Sequence, residues 1–523
     1  MEFQTHSSRL VDLDLELGAV ALVVPAVTKP TTIKSKSAAF PLDDLAIVEQ
    51  SSPISPPAPA YISEQTIAPP SFQQWQSFHS SIRRRHRLTG KALPSKPNRW
   101  IQLQWFMTTY RKFFIFIVTL NLAAITSAAT GHFLYGRTHS GAILLGNLLA
   151  AVLMRNEFFL RILYFLANHL LAKWPPLWLR LTVTSTLQHV GGIHSGCATS
   201  GLMWILYKVI SLLRDRRITA TPVLTMGIIT SLCIIISVIS AFPWIRQAHH
   251  NAFERHHRFI GWLGIAATWI FVFLGDCYDS ITRVCEIHAT TMIRDQQFWF
   301  VLVMTIIIII PWAFTRRVSV EVEVPSKKVA IIKFKRGIQQ GMLGRISLTS
   351  VLEYHTFGII SQGICAESHY MVCGVQGDFT KSLVENPPKY LWTREIKCPV
   401  VSNTSKMYRR GIRICTGTGI GAGLSTCLQS DQWFLIWIGS DQIATFGTTV
   451  HDLIVNNIPP ERRILWDSKK LGGRPDVMNL LEETYRKWNA EVVFITSNDQ
   501  GNREIMLGCK ERGIPSFGTL FDF

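Results

Sequence analysis

The chain has 523 residues, 48% of them hydrophobic and 17% charged, with a formal net charge of +18. Positive mean hydropathy at this length excludes a single soluble globule and leaves room for a membrane domain plus one or two soluble domains. The basic excess would raise nucleic acid as a partner in a soluble protein, but here it flanks long apolar runs, which turns the reading to lipid and away from nucleic acid.

Residues 1–98 mix Pro, Ser and Thr with scattered charge and show no sustained apolar period, so they read as a disordered tail. The apolar stretch Gly18 to Val27 follows acidic residues rather than a basic segment, which argues against a secretory signal peptide and leaves targeting to the first span.

Six uncharged runs of bilayer-spanning length follow, within a membrane domain set at 99–317. They are Phe113–Gly131, Thr138–Met154, Leu181–Tyr207, Ile218–Ile245, Phe259–Gly275 and Gln296–Thr315. Basic clusters precede the first (Arg83, Arg84, Arg85, Arg87, Arg99, Arg111, Lys112) and follow the last (Arg316, Arg317, Lys327, Lys328, Lys333, Lys335, Arg336). By the positive-inside rule both termini then face the cytoplasm. Lys208, Arg214, Arg216 and Arg217 face outward on that topology, against the rule.

The charged break Arg155-Asn156-Glu157 is followed by Phe158–Leu171, an amphipathic pattern expected to lie on the inner membrane surface. Ten cysteines lack metal-ligand spacing; only Cys277 and Cys285 fall outside on this topology, where they could pair. Asn403-Thr404-Ser405 matches a glycosylation acceptor but falls on the cytoplasmic side.

Past the last span the pattern changes to period two, first in Val318 to Val324 and then in Val329 to Phe334, with further short runs up to Val401. That predicts a small antiparallel β-barrel over 318–410. From 411 to 523 strands alternate with helices: Ile412–Cys415, Phe434–Gly439, Arg463–Trp466 and Val492–Thr496, with a helix over Val477–Trp488. This predicts a parallel α/β sheet. Its first strand runs into Cys415-Thr416-Gly417-Thr418-Gly419-Ile420-Gly421. Glycines there let backbone N–H groups approach a pyrophosphate at a helix N-terminus, although the alternating glycines differ from G-x-G-x-x-G.

This order of parts resembles the ferric reductase and NADPH oxidase superfamily, with a ferredoxin-reductase-like module after six membrane helices. The resemblance is nearest to fungal TmpA-type integral membrane proteins in Leu187-Gln188-His189-Val190-Gly191-Gly192-Ile193-His194-Ser195-Gly196-Cys197, in His250 to Glu254 with His257 to Trp262, and in Gly513-Ile514-Pro515. It implies FAD held by His355, Thr356, Phe357 and Gly358 on a barrel strand, with Gly377, Thr380 and Lys381 near the flavin pyrophosphate. At position 358 the superfamily often has a hydroxyl, which glycine lacks.

The resemblance further implies NADPH on Thr416, Gly417, Thr418, Gly419, Ile420 and Gly421. Arg474, in Gly473-Arg474-Pro475-Asp476, would meet the adenosine 2′-phosphate, a task suited to a guanidinium fork. The C-terminal Phe523 is in place to close the flavin face, or simply to pack into the last strand.

Members that carry two haems bear paired histidines thirteen or fourteen residues apart on two spans. From His189 those positions hold Leu202 and Met203, and from His257 they hold Ile270 and Phe271. The expectation is at most one haem, between His189 or His194 and His250 or His257. His189 and His194 point to different helix faces, whereas His250 and His257 share one.

The reading is a membrane flavoprotein oxidoreductase that passes hydride from NADPH to FAD on the cytoplasmic side and electrons to an unidentified acceptor, with a role in fungal development or secondary metabolism. The alternative is a non-catalytic membrane scaffold or signalling protein that retains a degenerate reductase fold; a transporter would leave the nucleotide-type sheet unexplained.

Overall fold

The computed structural model describes residues 99–520 apart from 218, 279–281, 283, 287 and 288, and apart from the side chains of 247, 250, 251 and 289. The tail over 1–98 and the terminal Phe523 lie outside the described residues, as does the side chain of His250.

Among the described residues the longer helices of the N-terminal half are α1 Thr109–Ala129, α2 Ser140–Leu153, α3 Glu157–Leu170, α4 Leu177–Gln188, α5 Gly191–Arg214, α6 Thr221–Ser240, α7 His250–Cys277 and α8 Gln296–Ala313. Among the described residues five stretches are long and apolar enough to cross a membrane: α1, α5, α6, Ala252–Cys277 of α7, and α8. A sixth crossing rests on α2 with α3, a pair bent by 73°. Asn156 makes that bend: its Oδ1 accepts from Phe159 N at the start of α3, and its Nδ2 donates to Ile307 O on α8.

Two expectations change here. The run Leu181–Tyr207 is not one helix but breaks at His189 and Val190 into α4 and α5. Arg180 on α4 is buried, donates to Met407 O and grips Glu491 through two bonds of 2.7 and 2.9 Å, which ties α4 to the C-terminal half. The apolar span therefore begins at Gly191, and a Cβ at the adjacent Gly192 would collide with Tyr110 O on α1. The amphipathic helix α3, expected on the inner membrane surface, docks on the C-terminal half, where Asn168 Nδ2 donates to Asn403 Oδ1 at 2.7 Å.

Inside the bundle, Asn121 Oδ1 accepts from both Trp204 Nε1 and Asn147 Nδ2, joining α1, α2 and α5. One end of the bundle holds the Tyr135 to Gln296 bond and the Cys277–Cys285 disulfide, and Lys208 there lies within electrostatic reach of Asp295. Arg155 and Glu157, and Arg246 and Glu254, gather at the other end against the barrel. Lys208 thus has an acidic counterpart that the positive-inside rule does not consider.

The barrel comprises β1 Thr315–Ser319, β2 Glu321–Ser326, β3 Val329–Lys335, β4 Met342–Ser347, β5 His355–Ile360, β6 Ser368–Gly374, β7 Tyr390–Arg394 and β8 Cys398–Pro399, with helix α9 Asp378–Glu385. Its order is β1-β7-β4-β5-β6-β3-β2, antiparallel throughout, with β8 on β4. The run Val318 to Val324, read as a single alternating stretch, is two strands separated by Val320. Those two strands are opposite ends of the seven-strand path. Laid flat, the path would set its ends roughly 29 Å apart at ordinary strand spacing, so the sheet must curl.

The C-terminal half is a five-stranded parallel sheet in the order β11-β10-β9-β12-β13. Its strands are β9 Gly411–Thr416, β10 Trp433–Gly439, β11 Arg463–Asp467, β12 Val492–Thr496 and β13 Ser516–Gly518. Helices α10 Ile420–Gln429, α11 Gln442–Asn457, α12 Val477–Trp488 and α13 Asp499–Glu511 connect them. Every residue of β10 is buried, as expected of a central parallel strand covered on both faces.

Candidate functional site

The chain winds outward from β9 to β10 and β11, then returns to place β12 on the other side of β9, so the strand order reverses between β9 and β12. In open parallel sheets the crevice beyond such a reversal is where anionic cofactors bind. The glycine loop occupies that point. Gly417 has φ +51°, a left-handed conformation with open space where a Cβ would stand. A Cβ on Gly419 would strike Thr496 O at the end of β12. Thr416 Oγ1 and Ser497 Oγ, 2.7 Å apart, close the base of the crevice, and Trp437 Nε1 donates to Gly417 O. Helix α10 then starts at Ile420, whose N–H donates back to Gly417 O, and its N-cap Gly419 makes no side-chain capping bond.

Arg474 stands on the loop after β11, at the same edge of the sheet, and is exposed. Gly472 and Gly473 reach φ +76° and +152° before it, and Trp466 Nε1 anchors the loop through Gly473 O. Asp467 organises this edge by accepting from the N–H groups of Asp441, Gln442 and Lys469 at 2.9 to 3.1 Å. Burial would raise its pKa, but these backbone donors hold it below the usual carboxylate value.

On the barrel, β5 carries the predicted flavin segment. His355 stacks on Phe379 of α9 with ring centroids 3.9 Å apart, and Phe357 lies 6.3 Å from the same ring. His355 Nε2 is buried without a hydrogen-bond partner, and Glu353 Oε1 stands 3.7 Å from it. Thr380 Oγ1 accepts from the N–H groups of Gln376 and Gly377 and fixes the start of α9, while space is open beside Gly377. An orphaned ring nitrogen and an open helix N-terminus on neighbouring elements fit a phosphate-bearing cofactor.

Gly358 lies against α10, where a Cβ would collide with the backbone of Ala422. Ser425 Oγ, from the same helix, donates to Ile359 O and accepts from Ser361 N. The segments predicted for the two cofactors are therefore in direct contact.

The predicted histidines are brought partly together. His189, His194 and His257 line one cavity between the helices and the C-terminal half, with a volume of ≈ 2150 Å³, and Thr356 of β5 lines it too. His194 Nδ1 is bonded to Ala151 O at 2.8 Å and His189 Nδ1 to Ser185 O at 2.7 Å. The glycine loop, Gly377 and Arg474 lie outside the cavity. Among the described residues no group of three or more His, Cys, Asp or Glu is arranged to hold a metal ion.

The sequence reading missed the polar floor of this cavity. Glu157, 2% exposed, accepts at one oxygen from Arg345 at 2.6 Å and Arg394 at 2.8 Å. Burial lowers the Arg394 pKa and Arg345 adds to that, while Glu157 opposes it. No sequence spacing signals a set assembled from α3, β4 and β7.

A family model described as Adenylate-forming reductase 03009, C-terminal domain, matches residues 401–523. Adenylate-forming reductase 03009 of Coprinopsis cinerea is 30% identical over 422 residues, covering 79% of this chain and 40% of the relative. Adenylate-forming reductase 06235 of the same organism is 29% identical over 428 residues, with the same coverage. The chain thus spans 40% of the length of these curated relatives. Among solved structures, phthalate dioxygenase reductase is similar over 39% of this chain and 68% of its own, with 10% identity and a TM-score of 0.31.

Proposed function

We propose that the chain is an integral membrane flavoprotein oxidoreductase that takes hydride from NADPH onto FAD and passes electrons to an acceptor in or beside the membrane. The observation that carries this is the contact of β5 with α10: the barrel strand suited to a flavin and the glycine loop suited to a dinucleotide meet at Gly358 and Ala422. The curated relatives share the name reductase, which agrees with it. The ferric reductase and TmpA-type resemblance, with its developmental or secondary-metabolic role, belongs to the same proposal.

A bound flavin supplies hydride acceptance and onward electron release; the residues do the rest. The loop from Thr416 to Gly421 gives backbone N–H groups to the dinucleotide pyrophosphate, and Arg474 meets the 2′-phosphate. His355, held flat on Phe379, offers Nε2 to the flavin, and the first N–H groups of α9 with Lys381 face its phosphates. Thr356 lines the cavity that reaches from the barrel to the helices, where it would border a bound flavin's side facing the membrane helices.

In this reading the six apolar segments cross the bilayer and the soluble half lies in the cytoplasm. At most one haem would be held, between His189 or His194 and His257 or His250; His194 and His257 lie within electrostatic reach of one another. A backbone carbonyl on Nδ1 is how a ligating imidazole is usually oriented, and His194 has that bond to Ala151. The scaffold reading loses one support, because Gly358 answers to packing against Ala422 rather than to loss of a redox centre.

The deciding experiment is the absorption spectrum of detergent-purified full chain before and after NADPH under argon. Flavin bands that bleach support the reductase. A colourless protein that neither binds nor oxidises NADPH overturns it in favour of the scaffold.

A further inference from the structure

We infer that the connection between β4 and β5 is a membrane-interface anchor, in which Leu348, Val351 and Leu352 enter the inner headgroup layer of the bilayer and hold the barrel against it. The inference rests on the reading in which the apolar helices cross a bilayer, and adds to it the surface by which the barrel meets lipid.

The loop over 348–354 has its polarity reversed from that of a loop in water. Polar side chains at its two ends serve its own backbone: Ser347 Oγ accepts from Thr349 N at 2.9 Å, and Tyr354 Oη donates to Ser350 O at 2.9 Å. Ser347 and Tyr354 are buried, whereas Leu348 is 44%, Val351 37% and Leu352 50% exposed. Single exposed leucines are ordinary on any surface, but three large apolar side chains on one short connection form a patch that water does not favour.

Two contacts set the depth of this patch. Arg258 of α7 donates through Nη1 to Val351 O at 2.6 Å and to Leu352 O at 3.1 Å. Arg258 is the last charged residue before the uncharged run Phe259–Gly275, so it stands where α7 enters hydrocarbon. At the other end of the loop, Tyr354 meets Trp312 of α8 edge to face, with ring centroids 5.9 Å apart. Trp312 sits at the same end of the bundle: it makes a second edge contact with Trp262 of α7, and the Arg258 guanidinium lies 5.3 Å from its ring. Tryptophan and arginine at the ends of spans are the side chains that settle at headgroup level.

The apolar surface continues from there into the span, since Phe259 and Leu263, one turn apart on α7, are themselves exposed. The occupant that matches a short apolar loop at this level is the boundary between headgroups and acyl chains, which accepts such side chains without a fitted pocket. The loop runs directly into β5 at His355, so its contact with lipid would fix how far the predicted flavin segment stands from the bilayer.

The test places a nitroxide at Leu352→Cys of the full chain in nanodiscs of phosphatidylcholine with phosphatidylserine. A Cys365→Ser background removes the exposed free thiol. Collision with oxygen, which concentrates in lipid, is compared with collision with a nickel chelate, which stays in water. Leu263→Cys on α7 supplies the lipid reference and Arg486→Cys on α12 the water reference. Position 352 should favour oxygen over nickel well beyond position 486 while falling short of position 263, and Val351→Cys gives the same reading if the label at 352 disturbs folding.

Nickel dominating at 352 while oxygen dominates at 263 would overturn the anchor and leave the membrane reading standing. Shielding of 352 from both colliders would place it in a contact between proteins and would also overturn the anchor. Nickel dominating at 263 as well would overturn both.

Discussion

Gly358 of β5 and Ala422 of α10 touch so closely that no Cβ fits between them. This fixes the barrel on the parallel sheet and sets the spacing of any two cofactors held by these elements. Gly358→Ser, which would supply the hydroxyl that the resemblance calls for, is therefore expected to damage rather than improve the site. Overpacking of this kind costs about 1–3 kcal/mol. Flavin content and melting temperature should both fall; a variant with more flavin and unchanged stability would show that the contact is not limiting.

The crevice beyond β9 and β12 makes a paired prediction. Gly419→Val places atoms against Thr496 and should abolish binding of NADPH and NADH alike. Arg474→Ala should cost on the order of 1.5–3 kcal/mol for NADPH and little for NADH. Titration of each variant with both nucleotides checks this, and equal losses in Arg474→Ala would remove Arg474 from the 2′-phosphate.

Haem content is expected to be one per chain or none, since Leu202, Met203, Ile270 and Phe271 occupy the positions an outer pair would need. A pyridine haemochrome assay giving two per chain would contradict this. Where one haem is found, His194→Ala should remove it while leaving NADPH-dependent flavin bleaching intact.

Sidedness needs a different reporter from Asn403. Its side chain donates to Gln340 O and accepts from Asn168, so it is buried and stays unglycosylated whichever way the chain inserts. An acceptor site engineered into the 215–220 loop should be glycosylated in microsomes, and one placed in the 468–473 loop should not. The reverse pattern would invert the proposed topology.

His369 gives a pH dependence. Burial lowers its pKa to about 4 from 6.5, while Nδ1 donates to Arg336 O and the ring stacks on Phe334. Between those values the folded chain binds fewer protons than the unfolded one. Stability from this group is thus complete above pH 6.5 and is lost as pH falls toward 4, by a total on the order of 3 kcal/mol. Melting temperatures from pH 7 to 4.5 should fall less steeply in His369→Gln than in the parent; identical slopes would show that another group carries the acid sensitivity.

What the sequence determined by itself was whatever depends on local period and composition. The apolar runs, the change to period two after residue 317 and the glycine loop at the end of a strand could be read because helices, strands and turns impose their spacing over a few residues. The break at His189 escaped that reading. Hydropathy sums over residues, whereas Arg180, just before the apolar run, is held by a carboxylate at Glu491, a partner 311 residues away, and keeps α4 out of the span.

Only the tertiary structure decided the meaning of Gly358, which sequence shows as a missing hydroxyl and packing shows as a necessary absence of Cβ. It alone also assembled Glu157 with Arg345 and Arg394, the latter 237 residues distant. Ion pairs and close contacts act through space over a few ångströms, so their partners follow the route of the folded chain and leave no period in the sequence.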